Sequence, residues 1–350
     1  MSNGRPPTVV AMPKHGIPYN ENFYSAVEAA GGTVVEGTLA GRWLLQNLKR
    51  GDFVHLHWPA FSYADPSLTG LVIRFLRLSL LLVLIRAKGC HVLWTAHNLL
   101  PHDAAVVPAL DIVARRVLIR LCYRIFVHGS RAATMLIERF PGAGKKIVTI
   151  EHGHWIDYYP RTVTRAEARK RLNLDEANYV YLFIGLCKEY KNIEALIRAF
   201  AALSTDAVLL IAGKFQSASY QATIEALAKD VSGVRVYPGY IADVDLQTYL
   251  VAADVVVAPY QEVLTSGTAV LALSFGRPIV SIRRGCLIDL ITEETGLLYD
   301  PNDASRLQRA LAAVRELTFD EDVILSRARK LDWRSAARVF LSALDIGESA

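Results

Sequence analysis

The feature that most constrains this chain is a rhythm of short apolar runs. Strand-like segments "TVVAMP" (8–13), "FVHLHW" (53–58), "HVLWTAH" (91–97), "RIFVHG" (124–129) and "KIVTIE" (146–151) alternate with helical patterns. After "HGHWIDYYPRTVTRAEARKRLNL" the rhythm restarts: "YVYLFIG" (179–185), "AVLLIAG" (207–213), "VRVYPG" (234–239), "VVVAPY" (255–260), "PIVSI" (278–282) and "GLLYD" (296–300). Continuous apolar runs joined by helix-length spacers build parallel sheets covered on both faces. Two rounds predict an α/β chain of two Rossmann-like domains facing across a cleft. The expected division is 1–165, 166–331 and a C-terminal helix, 332–350. Thr164 and Glu167 have the spacing of a capping box, so a helix beginning there is expected to open the second domain.

Such sheets bind ligands beyond the carboxyl ends of their strands. Two constellations follow strands of the second half. In "FIGLCKEYKNIEALIRAF" (183–200), Lys188 and Lys191 sit at a strand-to-helix crossing and can meet one diphosphate as point charges. In "EVLTSGTAVLALSFGRPIV" (262–280), Ser266, Gly267 and Thr268 open a helix. Backbone N–H groups and the helix dipole make such a start an anion site, and Gly267 admits close approach. Glu262, just upstream, can accept hydrogen bonds from sugar hydroxyls. Solvated lysines and a ligand-free cap would explain either constellation alone; their falling in the same half favours one diphosphate.

The first half places histidines and aromatics at strand ends: "HLHWP" (55–59), "WTAHNLLPHD" (94–103) and "EHGHW" (151–155). These suit sugar recognition and proton transfer. His97 and Asp103 are the catalytic candidates. The loop "PKHGIPYNENFY" (13–24) is placed to close over an acceptor, so His15, Tyr19 and Asn20 join Trp58, Asn98 and His154 as acceptor-binding candidates. His55 and His57 invite a zinc reading, but they are expected to alternate faces of a strand, and neither a cysteine pair nor an HExxH pattern accompanies them. No metal is expected, and no cofactor.

Bulk properties exclude other classes. Of 350 residues, 52% are hydrophobic and 21% charged, which is a packed composition rather than a disordered one. A net charge of +5 without a basic, aromatic-studded stripe does not suggest nucleic acid. It fits a phosphate-bearing small molecule or an anionic surface better. Cys90, Cys122, Cys187 and Cys286 form no CxxC pair, and the N-terminus reads straight into a strand without a signal-peptide pattern, so a reduced, cytoplasmic setting is expected. The "VVAMPKHG" loop lacks the GxGxxG of dinucleotide binders.

One stretch is unusually apolar, "LVIRFLRLSLLLVLIRAKG" (71–89). Arg74 and Arg77 interrupt it, so it falls short of the ~20 apolar residues of a spanning helix. It reads either as a mostly buried helix or as one lying on the inner face of a membrane, its arginines and Lys88 reaching lipid phosphates.

Taken in order, "FVHLHWP", "WTAHNLLPHD", "IEHGHWIDYYP", "GLCKEYKN", "AADVVVAPY" and "LTSGTAVLALSFGRPIVS" resemble the GT-B glycosyltransferases that use GDP- or UDP-sugars in bacterial polysaccharide and glycolipid assembly. The "HLHWP" and "HGHW…YP" elements are similar to those of exopolysaccharide mannosyltransferases. The resemblance implies a metal-independent hexosyltransferase moving mannose from a GDP-sugar in preference to a UDP-sugar, with a final helix that crosses back to the first domain. The acceptor would be lipid-linked or an oligosaccharide. It implies an acceptor domain first and a donor domain second, with Lys188 and Lys191 as the basic pair on the diphosphate and His97 beside the transferred sugar. Many retaining members carry a second glutamate eight positions after the first; here Glu262 is followed at that spacing by Val270. Inversion would need a base in the first domain, for which Asp103 and His97 are both open. A nucleotide-sugar epimerase and a non-catalytic nucleotide-sugar sensor are the alternatives on the same fold.

Overall fold

The structure is a computed structural model and describes residues 8–101, 107–203, 206–300 and 305–344. The chain divides into two compact units, Met1–Gly153 with Asp332–Ala350, and His154–Leu331.

Unit 1 holds one parallel sheet of six strands: β1 (Thr8–Met12), β2 (Thr33–Glu36), β3 (Phe53–Leu56), β4 (His91–Thr95), β5 (Cys122–His128) and β6 (Ile147–Ile150). Their order is β2-β1-β3-β4-β5-β6. β1 and β3 are buried along their whole length, which is why they read as unbroken apolar runs. β2 was not expected. It is an edge strand of four residues in which only Val34 and Val35 are apolar, too short a run to stand out in the sequence.

Unit 2 repeats the plan with β7 (Val180–Ile184), β8 (Val208–Gly213), β9 (Val234–Pro238), β10 (Val255–Ala258), β11 (Ile279–Ile282) and β12 (Gly296–Tyr299). The order is β12-β11-β10-β7-β8-β9, again all parallel. In each sheet the strand order reverses once: at β1/β3 in unit 1 and at β7/β10 in unit 2. These are the switch points where flanking loops part and leave a crevice.

The boundary differs from the expected 165/166. The Thr164 capping box does form, with Thr164 N–H donating to Glu167 Oε2 at 2.9 Å and Glu167 N–H to Thr164 Oγ1 at 3.3 Å. But residues 154–164 already pack within unit 2. The Trp155 N–H donates to Ser274 Oγ at 2.9 Å, and Gln247 Oε1 accepts from the N–H groups of Thr162 and Val163 at 2.7 and 3.1 Å. The C-terminal helix Trp333–Ser342 belongs to unit 1, capped by Asp332 through the N–H groups of Arg334 and Ser335. Phe340 on this helix meets Phe23 and Phe126 at centroid distances of 5.1 and 4.6 Å. Gly153 lets the Trp333 ring lie against the backbone; a Cβ there would fall 1.8 Å from the indole.

The helix Leu68–Ala87 departs from the mostly buried reading. Leu71, Leu78, Leu81, Leu82 and Ile85 are buried on one face. The opposite face is apolar too, with Val72, Leu76, Leu80 and Val83 exposed at the i, i+4, i+8, i+11 spacing of a single stripe. Only 28% of its most apolar stretch is buried, and by length and composition alone it is apolar enough to cross a membrane, which corrects the expectation that it falls short of a spanning helix.

Candidate active site

The unit 2 constellation forms at the β7/β10 switch point. After β7 the chain turns through Gly185, at φ +126°, and a short 3-10 turn, Glu189–Lys191. Asn192 takes the left-handed conformation at φ 60° and launches the next helix. This geometry brings Lys191 across to the loop after β10. Its Nζ lies 3.3 Å from Tyr260 Oη and 4.5 Å from the Tyr260 ring centroid. Tyr260 Oη in turn lies 3.1 Å from Ser266 Oγ, which caps the helix Gly267–Ser274 by accepting the Ala269 N–H at 3.1 Å. An ammonium over an aromatic face gains roughly 0.5–2 kcal/mol, so Lys191 is held in place before any anion arrives.

Thr268 faces Gly185 closely, since a Cβ on Gly185 would stand 3.5 Å from Thr268 Oγ1. Lys188 is half-buried at the start of the same turn, its carbonyl 3.5 Å from Tyr220 Oη. Gly267 is the first residue of the helix. Glu262 is exposed and ion-paired to Arg284 at 3.0 Å, so its carboxylate is already engaged. Tyr260 and Arg284 were missed from sequence. Tyr260 carried a signal, being the residue that ends "VVVAPY".

Unit 1 assembles a second constellation at the ends of β3, β4, β5 and β6. His55, His57, His97, His128 and His152 are all buried there. The faces expected of His55 and His57 were wrong. Side chains two apart on a strand share a face, and both rings reach one hydroxyl: Tyr24 Oη is 3.0 Å from His55 Nδ1 and 2.8 Å from His57 Nε2. His57 Nδ1 continues to His97 Nε2 at 3.0 Å, and His55 Nε2 to Thr95 Oγ1 at 2.8 Å. Trp58 stacks on His97, with 4.4 Å between centroids and 13° between planes. Tyr19 is central, packing edge-on against His97 at 4.8 Å and against Trp333 at 5.3 Å. Its hydroxyl lies 3.1 Å from His128 Nε2. His152 Nδ1 meets the Gly153 carbonyl at 2.9 Å, which fixes its proton on Nδ1.

Burial holds these imidazoles neutral. Desolvation, with neighbouring histidines adding to it, lowers His55 to about 3 and puts His57 and His97 well below the usual range. Desolvation likewise brings His128 to about 3 and His152 to about 4.

A pocket of about 220 Å³ opens at the β1/β3 switch point, lined by Met12, Pro13, Thr38, His57, Trp58 and Ser62 among others. An aromatic wall beside polar groups is the setting in which a sugar ring binds. The acceptor candidates distribute unevenly around it. Trp58 lines the pocket. Tyr19 is buried in the histidine cluster. Asn20 is fully buried and donates to the Pro13 carbonyl at 2.6 Å, so it ties down the loop after β1 instead of facing solvent. His15 is exposed on that loop, its N–H 3.2 Å from Glu36 Oε2. Asn98 is half-buried just beyond His97. His154 falls in unit 2, its N–H bound to the Leu331 carbonyl at 2.8 Å. Asp103 lies outside the described residues.

Comparison with known proteins places these observations. Residues 178–316 match the model of glycosyl transferases group 1. A GDP-mannose:glycolipid 4-beta-D-mannosyltransferase from Xanthomonas campestris pv. campestris is 27% identical over 279 residues, 77% of this chain and 73% of that protein. A D-inositol 3-phosphate glycosyltransferase from Salinispora arenicola is 24% identical over 64% of this chain, a match spanning only 55% of its own length. Among solved structures, Anabaena HepE in complex with UDP and glucose superposes with a TM-score of 0.71 at 15% identity, covering 96% of this chain and 99% of that one. Sucrose-phosphate synthase from Thermosynechococcus elongatus gives 0.67 at 20% identity, covering 97% and 95%. The chain is therefore a glycosyltransferase of the GT-B fold, its second unit carrying the group 1 match.

Proposed function

We propose that the protein transfers mannose from GDP-mannose to a lipid-linked or oligosaccharide acceptor in polysaccharide or glycolipid assembly. The observation that carries the donor class is the Lys191–Tyr260–Ser266 ladder at the β7/β10 switch point. It aims a fixed cation at a helix N-terminus, where a departing nucleoside diphosphate is stabilised without a metal. The choice of GDP-mannose is supported by the activity for which the Xanthomonas relative is named; a UDP-sugar is the competing reading, because HepE holds UDP and glucose. Unit 1 supplies the acceptor pocket at Trp58 and the reacting-site histidine, His97.

Calorimetric titration with GDP, UDP and ADP, and with their sugar conjugates, tests this. GDP is expected to bind tightest, and Lys188→Ala/Lys191→Ala to reduce its affinity at least about tenfold by removing two charge-assisted contacts. Tighter UDP binding would refute the GDP assignment; unchanged affinity in the double variant would refute the diphosphate site.

The acceptor is read as membrane-borne, with the protein on the cytoplasmic face. Val72, Leu76, Leu80 and Val83 form an exposed apolar stripe, and the helix that carries them also bears exposed Arg74, Arg77 and Arg86. An apolar stripe flanked by arginines suits an anionic lipid surface. Flotation with vesicles containing phosphatidylglycerol should carry the wild-type protein upward, and Leu76→Glu/Leu80→Glu should leave it at the bottom. Equal flotation of the two would remove the helix from the proposal.

A further inference from the structure

The histidine cluster of unit 1 contains a single-file line of hydrogen bonds: Thr95 Oγ1, His55, Tyr24 Oη, His57, His97. Its four links are 2.8, 3.0, 2.8 and 3.0 Å long. Thr95, His55, Tyr24 and His57 are each at most 2% exposed, so water does not supply alternative partners. Each link needs one proton. Each neutral imidazole supplies one, as do the threonine and tyrosine hydroxyls.

The polarity of the line is decided at its far end. Among the described residues, His55 Nε2 is the sole hydrogen-bond partner of Thr95 Oγ1. If Thr95 accepted there, its own buried hydroxyl proton would have nowhere to go, which is the costly arrangement. Thr95 therefore donates to His55 Nε2. His55 must then carry its proton on Nδ1 and donate to Tyr24. Tyr24 donates to His57 Nε2, His57 donates from Nδ1, and His97 Nε2 accepts. The remaining proton of His97 is left on Nδ1, an atom with no hydrogen-bond partner among the described residues. The tautomers follow from closing the network.

We propose that Thr95, His55, Tyr24 and His57 are positioning residues that lock His97 in its Nδ1–H tautomer, so that it offers substrate a neutral hydrogen-bond donor. In that state Nδ1 cannot take up a proton, and the general-base role falls to another group. The neutrality of the buried imidazoles supports the assignment, because a cation anywhere in the line would add a proton and abolish its single polarity. The consequence for the reaction rests on the proposed role of His97, but the tautomer is measured without turnover, so either can fail separately.

The experiment is long-range proton–nitrogen correlation NMR on protein labelled with nitrogen-15 histidine. His97→Gln identifies the His97 signals by their loss from among those of the nine histidines. The expected wild-type pattern is a pyrrole-type Nδ1 and a pyridine-type Nε2 for His97. Thr95→Val, which removes the hydroxyl at nearly constant volume, should shift both nitrogens toward the values of a tautomer mixture, and Thr95→Ser should restore the wild-type pattern. A pyridine-type Nδ1 in the wild type would overturn the proposal, and this spectrum decides even if Thr95→Val does not fold. Wild-type tautomer shifts in a folded Thr95→Val protein would remove Thr95 as the residue that sets the polarity.

Discussion

Acidification should unfold unit 1 within a narrow window, and the structure gives the size of the effect. In an unfolded chain a histidine titrates near ~6.5. His55 and His128 are lowered to about 3 and His152 to about 4; His57 and His97 are also held well below the usual range. Desolvation is the first cause in every case. Below pH ~6.5 the unfolded state binds protons that the native state refuses, so stability falls as pH falls. The stability is complete above the unfolded value and is lost progressively toward the folded values. At pH 5, roughly 1.5 units below the unfolded value, His55, His128 and His152 each cost about 2 kcal/mol at ~1.36 kcal/mol per unit. The three amount to about 6 kcal/mol, a large part of the whole stability of a typical domain, and His57 and His97 act in the same direction. Thermal unfolding followed by tryptophan fluorescence between pH 7.5 and 5 checks this. Trp43, Trp58, Trp94 and Trp333 lie in unit 1 and only Trp155 in unit 2, so the signal reports mainly the unit that holds the histidines. The midpoint should drop steeply below pH ~6.5, and His128→Gln should reduce the proton uptake on unfolding by about one. A midpoint that is flat across that range would show that the buried imidazoles titrate almost as they do in the unfolded chain, and would refute the argument.

Two further substitutions probe unit 2. Gly213→Ala places a Cβ 1.7 Å from the Gly185 carbonyl oxygen, where backbone must move; a loss of at least about 2 kcal/mol is expected by thermal unfolding, together with weaker nucleotide binding because Gly185 begins the turn that carries Lys191. Arg169 is fully buried, pairs with Asp254 at 2.9 Å and donates to the carbonyls of Asp175, Glu176 and Asn178. Arg169→Met strands these groups and should cost about 3–5 kcal/mol in urea unfolding; a change below about 1 kcal/mol would show that they find other partners.

The sheets were legible because their inner strands are buried on both faces and cannot hide among polar residues. β2 was not, since its four residues hold only two apolar ones, fewer than the edge strands β6 and β9 that were legible. The unit boundary was placed too late for a related reason. The capping box at Thr164 marks where a helix starts, whereas the change of unit is made by backbone hydrogen bonds such as Trp155 N–H to Ser274 Oγ, which have no sequence signature. For the same reason Lys191 and Ser266 could be singled out as following strands, but the hydroxyl of Tyr260 that joins them could not.

The histidines show how far residue types alone can carry an argument. Their positions at strand ends pointed to proton chemistry. Their direction depends on Tyr24, which ends the stretch 13–24 read as an acceptor loop but lies in a helix, and on Thr95, an ordinary strand residue. What makes the cluster specific is that every proton but one has a single place to go. The strand order has a comparable effect on a larger scale. In a linear reading every strand end is an equal candidate, and the sequence offers eleven such runs. Once β1 is seen between β2 and β3, and β7 between β8 and β10, only two strand ends in each sheet flank a crevice. Trp58 and His57 stand at the first switch point, and Lys191 and Ser266 at the second. The topology thus selects, from many polar strand ends, the two places where polar groups can meet a ligand instead of one another.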